Sequence, residues 1–511
     1  MKQAQNMKII IYNESIKKLQ RRIQMEKQGL NPYLPDYEYV PDAEPHVFGD
    51  RVYIYGSHDK FGAPFFCVED YVCWSAPVND LTDWRYEGVI FKRKDDPSNF
   101  TGLRCLFAPD ICQGVDGRYY LYYAYDFLGQ MGVAVCDTPA GEFKFYGHVK
   151  FADGHTWGSK SGEPLPFDPA ILVDDDGRVW LYSGFATKVP AIASRFHNLT
   201  NPGGVVLELE QDMVTIKSGP KLIFPLEGYP DEYKGHRFFE ASSIRKINGT
   251  YYFVYSSENN HDLCYATSDK PDGPFKYGGV LVDIGDIGID DIKYENHARN
   301  YLGNTHGGIL KIEDDWYIFY HRQTNRNSYA RQACAEKLKI SSDGKLLQAE
   351  ITSCGLNGKS LRGIGKYDAR IACNLWSNEG TGRYDISFPK HAFKNHPYFV
   401  KNTGEYEKGV GQYIKNMKDG AVAGFKYFDF VDTRSIAVNI GGVANGHLII
   451  ATDEDFFYQI GLIEFDKREK DICCFTTELK GVEGDKPLYF KFVGEGTIDF
   501  ISFELIGGDC H

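Results

Sequence analysis

Residues 116–122 read Asp-Gly-Arg-Tyr-Tyr-Leu-Tyr, and residues 176–182 read Asp-Gly-Arg-Val-Trp-Leu-Tyr. In both, a turn-forming dipeptide leads into a run of aromatic and aliphatic side chains, the composition of a strand leaving a hairpin. Three more copies follow the same pattern: Gly49-Asp-Arg-Val-Tyr-Ile-Tyr, Asn248-Gly-Thr-Tyr-Tyr-Phe-Val-Tyr and Asp314-Asp-Trp-Tyr-Ile-Phe-Tyr. Asp-Gly and Asn-Gly at such turns imply that both turn residues take positive φ. With Tyr53, Tyr120, Trp180, Tyr252 and Tyr317 as equivalents, the spacings are 67, 60, 72 and 65 residues, room for about four strands per unit. A four-stranded unit leaves two apolar faces that only neighbouring sheets can cover. Five such units therefore predict a five-bladed β-propeller over residues 32–350. A series of sandwiches with unrelated hairpins is the competing reading.

Composition agrees with an all-β chain. Of 511 residues, 53 are glycine and 69 are Tyr or Phe, which favours short strands and tight turns. This length exceeds one ordinary core. A net charge of −13, with no local Lys/Arg cluster, argues against nucleic acid or an anionic membrane surface as partner. Residues 8–12, Lys-Ile-Ile-Ile-Tyr, are shorter than the roughly 7 to 15 apolar residues of a signal-peptide core. A cytoplasmic protein is expected. Twelve scattered cysteines without a CxxC pair signal neither a zinc site nor a disulfide framework.

Ahead of each hairpin stands a polar residue at the start of a short strand: Asp42, Asp110, Asp168, Glu240 and His306. The innermost strand of each propeller blade lines the central axis, so these positions are expected to converge into one ring. Glu44, two residues beyond Asp42, shares its face. Carboxylates from several blades around one pocket suit glycoside hydrolysis, in which one acid protonates the leaving oxygen and another activates water or attacks the anomeric carbon. A third acid keeps the proton donor's pKa high, because neighbouring like charges resist ionising together. The bland reading of each acid taken alone is a turn or strand cap. The run Asp174-Asp-Asp-Gly lacks the alternating ligands and distal glutamate of a calcium loop and reads as a hairpin turn.

These residues resemble glycoside hydrolase family 43, five-bladed propellers that include α-L-arabinofuranosidases and β-xylosidases. The likeness is carried by Asp42, by Phe167-Asp-Pro-Ala-Ile-Leu-Val, by Phe238-Phe-Glu-Ala-Ser-Ser-Ile-Arg and by the stretch from Thr305-His-Gly-Gly to Tyr329-Ala-Arg-Gln-Ala-Cys-Ala-Glu336. It implies Asp42 as general base, Glu240 as general acid and Asp168 as the acid that orients Glu240 and tunes its pKa, with inversion at the anomeric centre. It further implies Arg331 as a sugar-binding residue, Phe107 as an apolar sugar platform where relatives often place tryptophan, and Asp110 as either a substrate contact or a structural residue. His306 would point into the axis, where relatives hold a calcium ion or a water cluster; a hydrogen-bonded histidine without metal is the alternative. No organic cofactor is implied.

The expected activity is exo-acting, inverting removal of terminal α-L-arabinofuranosyl groups from oligosaccharides, with β-xylosidase action on the same pocket. An endo-arabinanase and a sugar-binding lectin are the alternatives; a fructan-cleaving propeller would carry an Asn-Asp-Pro-Asn-like run where this chain has Pro-Asp-Ala-Glu-Pro-His. Residues 14–27, with Ile16, Leu19 and Ile23 at helical spacing, predict a short helix in an N-terminal extension (1–31). Beyond residue 350 the hairpin repeat stops, yet strand-like alternation continues in Gly446-His-Leu-Ile-Ile-Ala and Thr497-Ile-Asp-Phe-Ile-Ser-Phe. Residues 351–511 are expected to form a β-sandwich, which resembles the jelly-roll carbohydrate-binding modules of family 6, as sugar binder or as buttress.

Overall fold

The computed structural model describes residues 27–125, 129–186, 198–225, 227–384 and 394–508. The helix expected over 14–27 lies, apart from Lys27, outside them. Five antiparallel sheets follow in chain order: Glu44–Phe91, Leu106–His148, Ala170–Pro225, Phe238–Asp283 and Ile309–Leu338. The aromatic run is the second strand in every one. Its side chains are buried on both faces, as in Tyr120 to Tyr125, each at most 2 % exposed. Each sheet must therefore be covered on two sides, and separate apolar clusters fill the interfaces between successive blades, with the fifth blade packed back on the first. Blades one, two and four have four strands. The third adds a short parallel strand, Lys150–Phe151, and the fifth has only three.

The segment before the first blade closes the ring. Tyr33 N–H donates to Ala333 O on the last strand of blade five, and the Asn31 side chain exchanges two hydrogen bonds with the backbone of Ala335. The turns depart in part from expectation. Asn248 and Gly249 both take positive φ, whereas at Asp116-Gly117 and Asp176-Gly177 only the glycine does. Those two turns are longer, closed by Gly114 N–H to Arg118 O and Asp174 N–H to Arg178 O, so a two-residue geometry is not required of them.

The strand registers sort the axial residues into levels. Glu44, Asp110, Ala170 and Ser243 all pair with the residue two beyond the shared aromatic position, and Phe319 N–H donates to Gly308 O at the matching place in blade five. Asp110 thus belongs one level deeper than Asp42, beside Glu44. In blade two Phe107 takes the upper place: it pairs with Ala124 as Glu240 pairs with Ser256, and a bulge in each strand separates it from the deeper residue. The upper level is Asp42, Phe107, Asp168, Glu240 and His306.

Asp110 is structural. Its carboxylate accepts from Ile171 N–H of blade three at 2.8 Å and meets His46 Nε2 of blade one at 2.6 Å. Glu44 accepts from Ser243 Oγ and Arg245 Nη2 of blade four. The deeper level therefore pins the inner strands to one another.

From Leu361 onward a second set of strands wraps around its own core, including Phe425, Phe490, Phe500 and Phe503, as a β-sandwich. Two long strands, Thr433–Ala451 and Gly484–Gly507, pair along most of their length and carry the other strands. The sandwich is anchored to the propeller by buried charge: Lys426 Nζ reaches Asp286 and Glu350, and Arg322 donates to the carbonyls of Arg370 and Ala372. Among the described residues every cysteine is a free thiol.

Gly308 lets the Glu44 carboxylate approach the axis, since a Cβ there would sit 2.6 Å from Glu44 Oε2 and 2.7 Å from Ser243 Oγ. Gly308→Ala is expected to cost about 1–3 kcal/mol of stability through overpacking, measured by urea unfolding.

Candidate active site

All five upper-level residues line one cavity of about 460 Å³ at the propeller axis, together with Arg331. Two backbone features mark its floor. Asp42 and Asp168 sit at φ 57° and 41°, and Ala241, next to Glu240, at φ 67°. Non-glycine residues visit this left-handed region at a cost, aspartate less reluctantly than most, and such positions concentrate at functional sites.

The charges are asymmetric. Arg331, on the last strand of blade five, is 2 % exposed and grips Asp59 of blade one with Nε at 2.8 Å and Nη2 at 3.1 Å. Its Nη1 donates to Asp42 Oδ1 at 2.8 Å, and its guanidinium lies 4.9 Å from the centre of the Phe66 ring. Burial alone would raise the Asp42 carboxyl, but the Arg331 guanidinium, with the Ser57 hydroxyl, outweighs it and holds Asp42 below the usual aspartate range. The opposite holds across the cavity. Burial and the charge of Asp42 push Glu240 up to about 8 against Arg331. Burial, then Glu240 and Asp42, raise Asp168 as well, so Asp168 and Glu240 resist ionising together.

Burial brings His306 down to about 4 and His321 to about 3, leaving both imidazoles neutral. His321 Nδ1 accepts from Asp42 N–H, so its proton is on Nε2, which donates to Asn304 O. His306 Nδ1 lies 3.7 Å from Asp168 Oδ2, and its Nε2 lies 3.9 Å from Glu44 Oε1.

The walls differ in character. On one side runs an arc of rings, Phe239, Phe185, Phe167, Phe107 and Phe65, with successive centroids 5.5, 4.9, 5.6 and 6.3 Å apart. On the other stand Asn260, Asn304, Ser328, Arg383 and Tyr384. The last two come from a segment of the second domain, after its strand Asn374–Trp376. That segment is bound to the propeller by Leu302 N–H to Gly382 O and Tyr384 N–H to Leu302 O, while Arg383 pairs with Glu295 at 2.6 Å.

A cavity at a propeller axis that pairs a depressed carboxylate with a raised one is the arrangement of a glycosidase. Residues 33–346 match the family of glycosyl hydrolases family 43. The chain belongs to that family. It is a glycoside hydrolase, and some of its relatives match it across both domains. A xylosidase/arabinosidase of Thermoclostridium stercorarium is 46 % identical over 487 residues, covering 94 % of this chain and 99 % of that one. A β-xylosidase of Xylanibacter ruminicola is 29 % identical over 350 residues, 61 % of this chain and 98 % of its own. The solved arabinoxylan arabinofuranohydrolase of Bacillus subtilis shares the fold, with a TM-score of 0.50 at 21 % identity over 94 % of this chain and 98 % of that one.

The structure of this family 43 hydrolase brings Asp42, Asp168, Glu240, Arg331, Phe107 and His306 together and leaves Asp110 below the cavity. Arg331 faces the cavity with most of its N–H groups already taken by Asp59 and Asp42. Asp59, Asn304, Arg383 and Tyr384 were not legible as site residues, because each arrives through a segment outside the hairpin repeat; His321, at the far end of the fifth aromatic strand, and the further phenylalanines lie in or beside the repeat but carry no mark that sets them apart from core residues.

Replacing Arg331 by Met leaves two buried carboxylates without their cation, an expected loss of about 3–5 kcal/mol at pH 7. The deficit should shrink as pH is lowered toward 4, where both carboxyls are accommodated in neutral form; thermal unfolding at several pH values measures it.

Proposed function

We propose that this hydrolase is an exo-acting, inverting glycosidase that removes terminal α-L-arabinofuranosyl groups from arabinoxylan- or arabinan-derived oligosaccharides and also accepts β-D-xylosyl ends. The observation that carries the reading is the opposed pKa shifts of Asp42 and Glu240 across one cavity. Asp42, held ionised by Arg331, takes a proton from the attacking water. Glu240, held protonated near neutral pH, gives its proton to the glycosidic oxygen as the bond to the anomeric carbon breaks. Asp168 sets the donor's proton affinity through its own reluctance to ionise beside Glu240. Water attacks from the face opposite the leaving group, so the product has inverted configuration. The phenylalanine arc offers apolar faces to the C–H patches of the sugar, and Asn260, Asn304 and Ser328 offer hydrogen bonds to its hydroxyls. A cavity walled in part by Arg383 and Tyr384 suits a chain end better than the middle of a chain, which favours exo over endo action. The names of the relatives support both pentoses.

The axis also fits a hydrated calcium ion. Glu44 Oε1 and His306 Nε2 are buried, 3.9 Å apart, and neither has a hydrogen-bond partner among the described residues. Both would hold the ion, with water supplying most of the oxygens that calcium requires. When bound there it supplies positive charge beneath the acids.

Three measurements test this reading. On nitrophenyl α-L-arabinofuranoside and β-D-xyloside, Glu240→Ala should lose about 10²–10⁴-fold in kcat on poor leaving groups and recover in part on activated ones. Wild-type kcat/KM should fall as pH rises through about 8, where Glu240 loses its proton; equal rates for both proteins would remove Glu240 from the mechanism. Dialysis against a chelator followed by calcium addition should lower and then restore kcat/KM. A rate indifferent to both steps assigns the Glu44–His306 gap to water.

A further inference from the structure

A second cavity, of about 550 Å³, lies between the propeller and the sandwich. Its propeller side is the loop through Asn296, His297 and Arg299; its sandwich side carries Trp376, Asn378, Asp455, Phe456 and Lys491. Trp376 and Phe456 form an apolar cluster with Val422 and Tyr489. Arg299 clamps Glu454 with two hydrogen bonds, at 2.7 and 2.8 Å, and so fixes the sandwich loop against the propeller.

That loop is built to show aromatic rings to solvent. Asp453 accepts from the backbone N–H of both Phe457 and Tyr458, and Phe456 adopts φ 61°, unusual for a bulky residue. Phe456 turns inward, 8 % exposed, while the next two rings are 81 % and 72 % exposed. Asn296, His297, Asn378 and Asp455 line the same cavity, and their side chains make no hydrogen bond to any described residue; Lys491 reaches only the Phe456 ring. An aromatic floor, free donors and acceptors around it, and two exposed rings beside it are what a neutral oligosaccharide needs. Its C–H faces pack on rings, and its hydroxyls both give and accept hydrogen bonds.

We propose that this interdomain cleft is a second oligosaccharide-binding site, distinct from the catalytic cavity, that holds the backbone of the substrate chain. The ligand class rests on the glycosidase reading. Trp376 to Gly380 line the cleft and Arg383 and Tyr384 line the catalytic cavity, so one short segment borders both.

The test uses the full chain. In an inert Glu240→Ala background, titration calorimetry with β-1,4-xylohexaose should detect binding that Phe457→Ala/Tyr458→Ala weakens at least fivefold, and Asn378→Ala, a change that removes no core atom, should weaken it as well. In the otherwise wild-type chain, the same substitutions should leave kcat/KM on a nitrophenyl glycoside within twofold and raise KM on xylo-oligosaccharides. Xylohexaose affinity unchanged in both sets, or no binding at all, overturns the proposal. So does light scattering that shows a self-association lost in the double variant, with affinity unchanged, since the rings then serve contact between chains. A wild-type enzyme inactive on nitrophenyl glycosides would instead count against the pentosidase reading and leave the binding result to be judged by itself.

Discussion

The Arg331 guanidinium, held between Asp59 and Asp42, is the interaction on which both the ring and its chemistry depend. Arg331 belongs to the last strand of the fifth blade and the two aspartates to the first, so this buried ion network closes the propeller at the level of the cavity. Replacing the whole Asp59–Arg331–Asp42 network by packed apolar side chains would close a ring equally well, because buried ion pairs rarely add net stability. What the guanidinium adds is a charge in one place. It stands against Asp42, and Asp168 and Glu240 across the cavity make no hydrogen bond with it.

That asymmetry separates three acids that share one apolar setting. Burial raises the proton affinity of any carboxyl, so without a cation all three would tend to the neutral form. Arg331 reverses the outcome for Asp42 alone, and the negative charge of Asp42 then reinforces burial at Glu240. The ionised Asp42 and the protonated Glu240 are thus two consequences of one cation position. The deeper level supports this arrangement from below: Glu44 Oε2 is held by Ser243 and Arg245, and Asp110 by His46 and Ile171, fixing the inner strands whose upper ends carry Asp42, Asp168 and Glu240.

The propeller was legible because its cause is local. A turn followed by aromatics buried on both faces can only be a strand between sheets, and five copies at similar spacing require a ring. Positions on the inner strands were nearly legible. Counting residues back from each hairpin found Asp42, Asp168, Glu240 and His306, but placed Asp110 at their level, since a bulge adds a residue without leaving a mark in composition. Asp59 was out of reach for another reason: it sits in a loop, and its meaning lies in a partner 272 residues away. The residue roles, the calcium site and the sugar preference have no signature in composition or spacing; only likeness to a family points to them.

The second domain changes what the propeller presents. An isolated five-bladed ring leaves the cavity open toward the loops of blades four and five. Here residues 372–384 cross those loops, exchanging backbone hydrogen bonds with Arg299 and Leu302 and placing Arg383 and Tyr384 on the cavity wall. Buried Lys426 and Arg322 tie the sandwich down at two further points, and a charge stripped of water tolerates little displacement from its partners. Rigid docking of this kind suits a domain that helps to shape a pocket, whereas a module that only tethers an enzyme to polymer works as well on a loose linker. The same segment, before it reaches Arg383, runs through Trp376 and Asn378 along the interdomain cleft. One continuous segment therefore borders both the cavity mouth and the cleft.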